Sequence, residues 1–218
     1  MKPVYRYDIE QNSDEWEEIK LGMFSASTCA SLLMDKSTKG YQNLINKIVE
    51  ERITGERCEN DTFKGNWATE RGHELESVAR QDFELRNLLA VKLVGVVIMD
   101  AWTLCSPDGL IGDDMLHQIK NPIFSTQKEY LTVLNQNKEL NSNDIMKKID
   151  LGYYKQMQFE LMVTDRRINV FTSFHPHLSS IDLLIARDED LIGEIKARLE
   201  EAKVEVIEEI KRIKDLRI

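Results

Sequence analysis

Ser106-Pro107-Asp108-Gly109-Leu110-Ile111-Gly112-Asp113-Asp114-Met115-Leu116-His117-Gln118-Ile119-Lys120 is the stretch on which the reading of this chain turns. Residues 103–106 have strand character and end at a Pro-Asp-Gly turn carrying Asp108, and 115–120 returns as a second strand. Side chains alternate along a strand, so Gln118 and Lys120 share one face while His117 and Ile119 share the other. A carboxylate can hold a hard divalent cation, and a lysine beside it can orient or activate a water, which is the equipment of metal-assisted hydrolysis. On the returning strand the residue that shares the lysine's face is an amide, Gln118.

Working outward, residues 91–99 are rich in β-branched side chains and read as a strand, as do 102–106. With 115–120 they predict an antiparallel meander. Upstream, Asn12-Ser13-Asp14-Glu15-Trp16 is a helix start, with Ser13 or Asp14 as cap and Trp16 and Ile19 as first apolar anchors; a second start falls at Ser25 or Ser27. Leu44, Ile45, Ile48 and Val49 repeat at helical spacing over 41–53, stopped by Thr54-Gly55 before a polar loop over 56–65. The next helix, 67–86, has Leu75, Val78, Ala79 and Phe83 as its buried stripe.

Downstream, 124–140 reads as a helix, and the Asn, Lys and Asp content of 135–150 predicts a mobile connection. Over 153–163, Tyr154, Met157 and Leu161 fall on one helical face and Tyr153, Gln156 and Glu160 on another. Two strands, 168–174 and 181–186, flank His175-Pro176-His177, and 188–217 reads as a long amphipathic helix with a solvated acidic face. The sum is an α/β (α+β) fold in which helices flank a central mixed β-sheet.

With 218 residues, 42% of them hydrophobic, the chain has enough material for one substantial core, and no composition break divides it; a single domain over 1–218 is expected. No apolar run approaches the roughly 18 residues that span a bilayer, and no secretory leader opens the sequence, so a cytoplasmic protein is expected. Cys29, Cys58 and Cys105 lack metal-ligand spacing and read as buried thiols. The net charge of −9 excludes a protein that coats nucleic acid through a broad basic surface, so any contact with DNA has to be local. No Gly-rich stretch ends in Gly-Lys-Ser/Thr, which excludes a P-loop.

Several ordered motifs resemble the phage lambda exonuclease family, the YqaJ-type viral recombinases of the restriction-endonuclease-like superfamily. They are Trp16 and Lys20-Leu21-Gly22 with Ser25-Ala26-Ser27, then Gly72 to Glu76 with Ala79-Arg80, Cys105-Ser106-Pro107-Asp108-Gly109, Ile119-Lys120 with Pro122, and Tyr153, Gln156 and Gln158 before Val163-Thr164. The resemblance implies a restriction-endonuclease-like core and a Mg²⁺-dependent 5′→3′ exonuclease, with Mn²⁺ able to substitute. Its substrate would be linear double-stranded DNA, left with 3′ single-stranded tails. It further implies a homotrimeric ring, a single-strand annealing protein as partner in recombination, and the cytoplasm of a bacterium carrying a phage or prophage. By position, Glu76, Asp108, Gln118 and the carbonyl of Ile119 would hold metal, Lys120 would be the catalytic lysine, and Lys20, Ser27, Ser106 and Gln156 would contact the terminal 5′-phosphate.

Two departures stand out. Gln118 stands where the family has a glutamate; an amide oxygen can ligate Mg²⁺ but carries no charge, so metal affinity falls and an impaired or inactive enzyme is expected unless Asp113, Asp114 or Glu74 supplies the missing carboxylate. Lys20 replaces an arginine, exchanging a bidentate fork for a point charge. Every candidate also has a plain structural role. Glu76 can pair with Arg80 on a helix surface for a few tenths of a kcal/mol. Asp108 suits a turn, Ser27 a cap and Ser106 a strand end, while Lys20, Lys120 and Gln156 suit solvent. His175 and His177 read as turn residues. Two other functions share these residues: a structure-specific endonuclease, which has no need of a terminal-phosphate pocket, and a non-catalytic DNA-end-binding protein, which tolerates Gln118.

Overall fold

The computed structural model describes residues 2–59 and 67–216. Its elements run β1 (Val4–Arg6), α1 (Asp14–Ile19), β2 (Phe24–Ser25), a 3-10 turn (Ala26–Thr28), α2 (Cys29–Leu32), α3 (Lys39–Thr54), α4 (Trp67–Asn87), β3 (Val96–Ile98), β4 (Thr103–Cys105), β5 (Gly109–Ile111), β6 (Met115–Lys120), α5 (Phe124–Gln136), α6 (Ser142–Ile149), α7 (Leu151–Thr164), β7 (Ile168–His175), β8 (Leu178–Ala186) and α8 (Glu189–Asp215). The strands form two four-stranded mixed sheets, ordered β1-β3-β4-β2 and β5-β6-β7-β8, with helices around them. Parallel pairs occur between β2 and β4 and between β6 and β7; the other pairings are antiparallel.

The helix starts follow their capping chemistry. Ser13 Oγ accepts from the Trp16 amide, Thr38 caps α3, Asp150 caps α7 and Asp188 caps α8. Gly55 closes α3 in the left-handed region at φ 71°. The start near Ser25 and Ser27 yields a 3-10 turn running into the four-residue α2.

Three expectations are corrected. The antiparallel meander exists only for β3 and β4; β6 belongs to the other sheet, where it pairs with β5 and β7. The mobile connection over 135–150 contains a helix, α6, because Asn141 accepts from the Asp144 amide and so caps a turn that buries Ile145 and Met146. On α4, Ala79 and Phe83 are buried but Val78 is exposed, one position off the narrow stripe that faces the sheet. Residues 60–65 of the expected polar loop, and residue 217 at the end of the last helix, lie outside the described residues.

The larger core joins α3, α7 and α8 to β3 and β4 through Phe24, Tyr41, Ile48, Phe159, Leu161 and Val206, among others. A second core puts Tyr154 and Met157 of α7 against Phe171, Ile181, Leu183 and Ile185 of β7 and β8. Contributing to both, α7 is buried over most of its circumference, as expected of a helix between two layers. Its polar residues therefore have no solvent to face, and they meet the strands on either side. Backbone hydrogen bonds exchanged between Lys92 and Leu110 tie the lead-in to β3 onto β5.

Candidate active site

Asp108 sits where the chain passes from one sheet to the other, between β4 and β5. The turn between β5 and β6 lies further on, where Gly112 takes a φ of +53°. Gly109 is needed for space, not for its backbone angle: a Cβ there would stand 2.2 Å from Val91 Cγ1. Because β5 begins at Gly109, opposite His117, the last part of β6 has an open edge beyond that pair. Asp108 fills it. Its Oδ2 accepts from the Ile119 amide at 2.6 Å and from Gln118 Nε2 at 2.5 Å. In a strand, the N–H and C=O of one residue point to the same edge, so the Ile119 carbonyl also faces the Asp108 side.

One face of β6 is covered by α4. Ile119 packs with Ala79 and Phe174, while His117 lies 4.2 Å from the Phe83 ring and shares a hydrogen bond with Thr172 at 2.8 Å. Burial pushes that imidazole down to about 4, so it is a neutral core group, consistent with its expected position opposite Gln118 and Lys120. Arg71 donates to the Asn121 and Pro122 carbonyls, fixing the start of α4 beside the end of β6. With α4 held this way, Glu76, one turn before Ala79 and Arg80, reaches the open edge. It pairs with Arg80 at 3.7 Å and lines the cleft as well, so the surface-pair and site roles coexist.

The other face of β6 meets α7. Gln156 Nε2 donates to Gln118 Oε1 at 3.0 Å and to Glu160 Oε1 at 3.0 Å, and Asn169 Nδ2 donates to Glu160 Oε2 at 2.7 Å. A chain of hydrogen bonds thus runs from Asp108 through Gln118 and Gln156 to Glu160. The third wall comes from the N-terminal segment. Trp16 Nε1 donates to Ser106 Oγ at 2.9 Å, Lys20 Nζ lies 3.1 Å from the centre of the Trp16 ring, and the Ser25 and Ser27 hydroxyls are 3.1 Å apart.

All eight side-chain candidates from the sequence, Lys20, Ser27, Glu76, Ser106, Asp108, Gln118, Lys120 and Gln156, line this one cleft of about 300 Å³. Asp113, Asp114 and Glu74 do not. Asp114 is engaged with Arg167 at the far end of β6, and Asp113 and Glu74 are exposed elsewhere. The residue missed is Glu160, which is fully buried and lines the cleft. Its i, i+4 relation to Gln156 was visible, but a polar stripe on a helix reads as a solvent face until both flanking layers are known.

Electrostatically the cleft is short of positive charge. Burial pushes the Asp108 carboxyl up to about 6 and Glu160 up to about 7; Lys120 pulls both down, while Glu76 adds to the rise at Asp108 and Asp108 to that at Glu160. Glu76 is raised too, by burial against the opposing pull of Arg80 and Lys120. Among the described residues, no three His, Cys, Asp or Glu side chains are assembled as a metal site. The donor chemistry nevertheless suits Mg²⁺: carboxylates, an amide oxygen and a backbone carbonyl are all hard oxygen ligands, and their summed charge calls for a cation.

Residues 15–167 match the model of the YqaJ-like viral recombinase domain. The structure is similar to that of an alkaline exonuclease, LHK-Exo from Laribacter hongkongensis, at a TM-score of 0.78 and 28% identity over 93% of this chain and 97% of that one. LHK-Exo in complex with dAMP gives the same values. A phage-related exonuclease from Haemophilus somnus 129PT shares the fold at a TM-score of 0.65 and 17% identity, over 88% of this chain and 96% of that one. No curated protein sequence matches this chain. The matched segment runs from the Trp16 wall through Asp108 and Lys120 to Gln156 and Glu160, thus containing every wall of the cleft, and by that match the chain belongs to the YqaJ-like viral recombinase family.

Proposed function

We propose that this protein is a metal-dependent exonuclease that digests linear double-stranded DNA from its 5′ ends and leaves 3′ single-stranded tails. The observation that carries the proposal is the convergence of Glu76, Asp108, Gln118 and Lys120 with Lys20, Ser27, Ser106 and Gln156 in one cleft. The family match and the likeness to an alkaline exonuclease support a nuclease.

Glu76, Asp108, Gln118 Oε1 and the Ile119 carbonyl would hold Mg²⁺, with Mn²⁺ as a substitute. When bound there, a divalent cation would supply positive charge to the scissile phosphate and the leaving 3′-oxygen. Lys120, on the Gln118 face of β6 and 4.8 Å from the Tyr153 ring centre, orients the attacking water and adds positive charge opposite Asp108. Lys20, Ser27 and Ser106 form a cationic, hydroxyl-lined pocket for a terminal phosphate. Trp16 fixes two of these at once, through its indole N–H to Ser106 and its ring face to Lys20.

A phosphate pocket beside the metal ligands favours end-dependent cleavage over internal cleavage, and so favours an exonuclease over the structure-specific endonuclease of the same superfamily. A non-catalytic end-binding protein has no use for Lys120 next to a carboxylate cluster. A homotrimeric ring, a single-strand annealing partner and a cytoplasmic site of action complete the proposal by family resemblance. Digestion of duplexes labelled at one 5′ or one 3′ end tests the polarity: early release of the 5′ label with retention of the 3′ label is expected, and the reverse order overturns it.

A further inference from the structure

Gln118 leaves the cleft one charge short on β6, and the residues expected to replace it lie elsewhere. Glu160 lies at the cleft instead. It is fully buried and, among the described residues, forms no ion pair, although an unpaired carboxylate inside a protein is costly and is ordinarily matched by a cation. Its two oxygens are each held by an amide N–H, from Gln156 and from Asn169, which orients the group and leaves further lone pairs on both oxygens for another partner. The cations nearest in effect are shared: Lys120 acts on Asp108, Glu76 and Glu160 alike.

Gln118 links the two buried carboxylates. Its Nε2 covers Asp108, and its Oε1 is held by the same Gln156 nitrogen that holds Glu160. Rotation of the Gln118 amide away from Asp108 exposes carboxylate oxygens on both sides of the amide, with its own oxygen free to turn toward an incoming cation. We infer that Glu160, on α7, is a metal-binding carboxylate of this cleft, supplying with Asp108 the charge that Gln118 does not carry. The inference rests on the nuclease reading of the cleft and adds one residue to it. It also changes an expectation: with the carboxylate supplied from the helix, the amide at 118 is compatible with an active enzyme.

The test is titration of the full chain with Mn²⁺, following the loss of the free-ion electron paramagnetic resonance signal. It compares the parent, Asp108→Asn, Glu160→Gln, Gln118→Glu and the charge swap Gln118→Glu/Glu160→Gln. Melting curves in chelator report folding. The parent should bind Mn²⁺, Asp108→Asn should lose it, and Glu160→Gln should weaken it roughly tenfold or more, as expected for loss of a charged ligand. The charge swap should restore affinity toward that of the parent. Parent-like Mn²⁺ affinity in Glu160→Gln, with binding lost in Asp108→Asn, overturns the inference and leaves the nuclease reading intact. Binding by Gln118→Glu but not by the parent does the same. Absence of Asp108-dependent binding in both the parent and Gln118→Glu removes the metal site and the inference together. Unfolding of both chains that lack Glu160 gives that residue a structural role and also overturns it.

Discussion

Lys120 shows how much of the chemistry rests on single side chains. It shares a face of β6 with Gln118, lines the cleft, and places its charge beside the carboxylates Glu76, Asp108 and Glu160. Lys120→Met should therefore lower nucleotide release by about 10²–10³-fold while leaving binding to a 5′-phosphorylated end nearly unchanged, measured by turnover and by end-binding in parallel. An equal loss in both would make it a binding residue. Glu160 provides a pH signature. Burial places its folded value at about 7, above the ordinary carboxyl range, so its favourable contribution is complete below about pH 4 and is lost as pH rises through 7. In chelator, the melting temperature of Glu160→Gln relative to the parent should rise between pH 5 and pH 8. A difference that stays flat contradicts the burial of an ionisable group there.

Elements hold these residues in place through close packing. Gly109 permits the Asp108 crossover only because no Cβ meets Val91, so Gly109→Ala should cost about 1–3 kcal/mol in denaturant unfolding, and turnover should fall with it. The other end of α4 is moored at Asp182, which accepts from Arg86, Asn87 at 3.2 Å and Thr172 at 2.9 Å. Burial pushes the Asp182 carboxyl up, but those hydrogen bonds outweigh it and hold the group below its ordinary value. Its contribution is thus present at neutral pH and lost as pH falls below about 4. Asp182→Asn should lower the melting temperature at pH 7, with the gap closing toward pH 3. The long helices were legible in the sequence from their apolar periodicity, and the end of α3 from Gly55, whereas the caps Thr38 and Asp150 lie ahead of the first periodic residues and were not read. β5 was hidden, since it begins at the glycine of Pro107-Asp108-Gly109, a sequence that reads as a turn. α6 was hidden because its polar composition masks Ile145 and Met146.

At the scale of the whole molecule, two mixed sheets with α7 between them turn motifs scattered from Trp16 to Glu160 into three walls of one cleft. Spacing pointed to Asp108, Gln118 and Lys120, and the family resemblance supplied Lys20, Ser27, Glu76, Ser106 and Gln156; neither supplied Glu160, because which helix faces become interior depends on layers that meet only in three dimensions. On the proposed reading, an overall charge of −9 leaves attraction of DNA to local cations such as Lys20 and Lys120 in the cleft, in keeping with a substrate engaged at its end. No helix among the described residues is long and apolar enough to cross a membrane.

Whether the Asp108 cleft hydrolyses DNA from ends is decided by Mg²⁺-dependent release of acid-soluble nucleotides from linear 5′-phosphorylated duplex beside closed circular duplex of the same sequence. Parent, Gln118→Glu and Asp108→Asn chains are compared. Release is expected from the linear substrate alone, by the parent and by Gln118→Glu, and none by Asp108→Asn. Cleavage of the closed circle, or no release from either substrate even by Gln118→Glu, contradicts it.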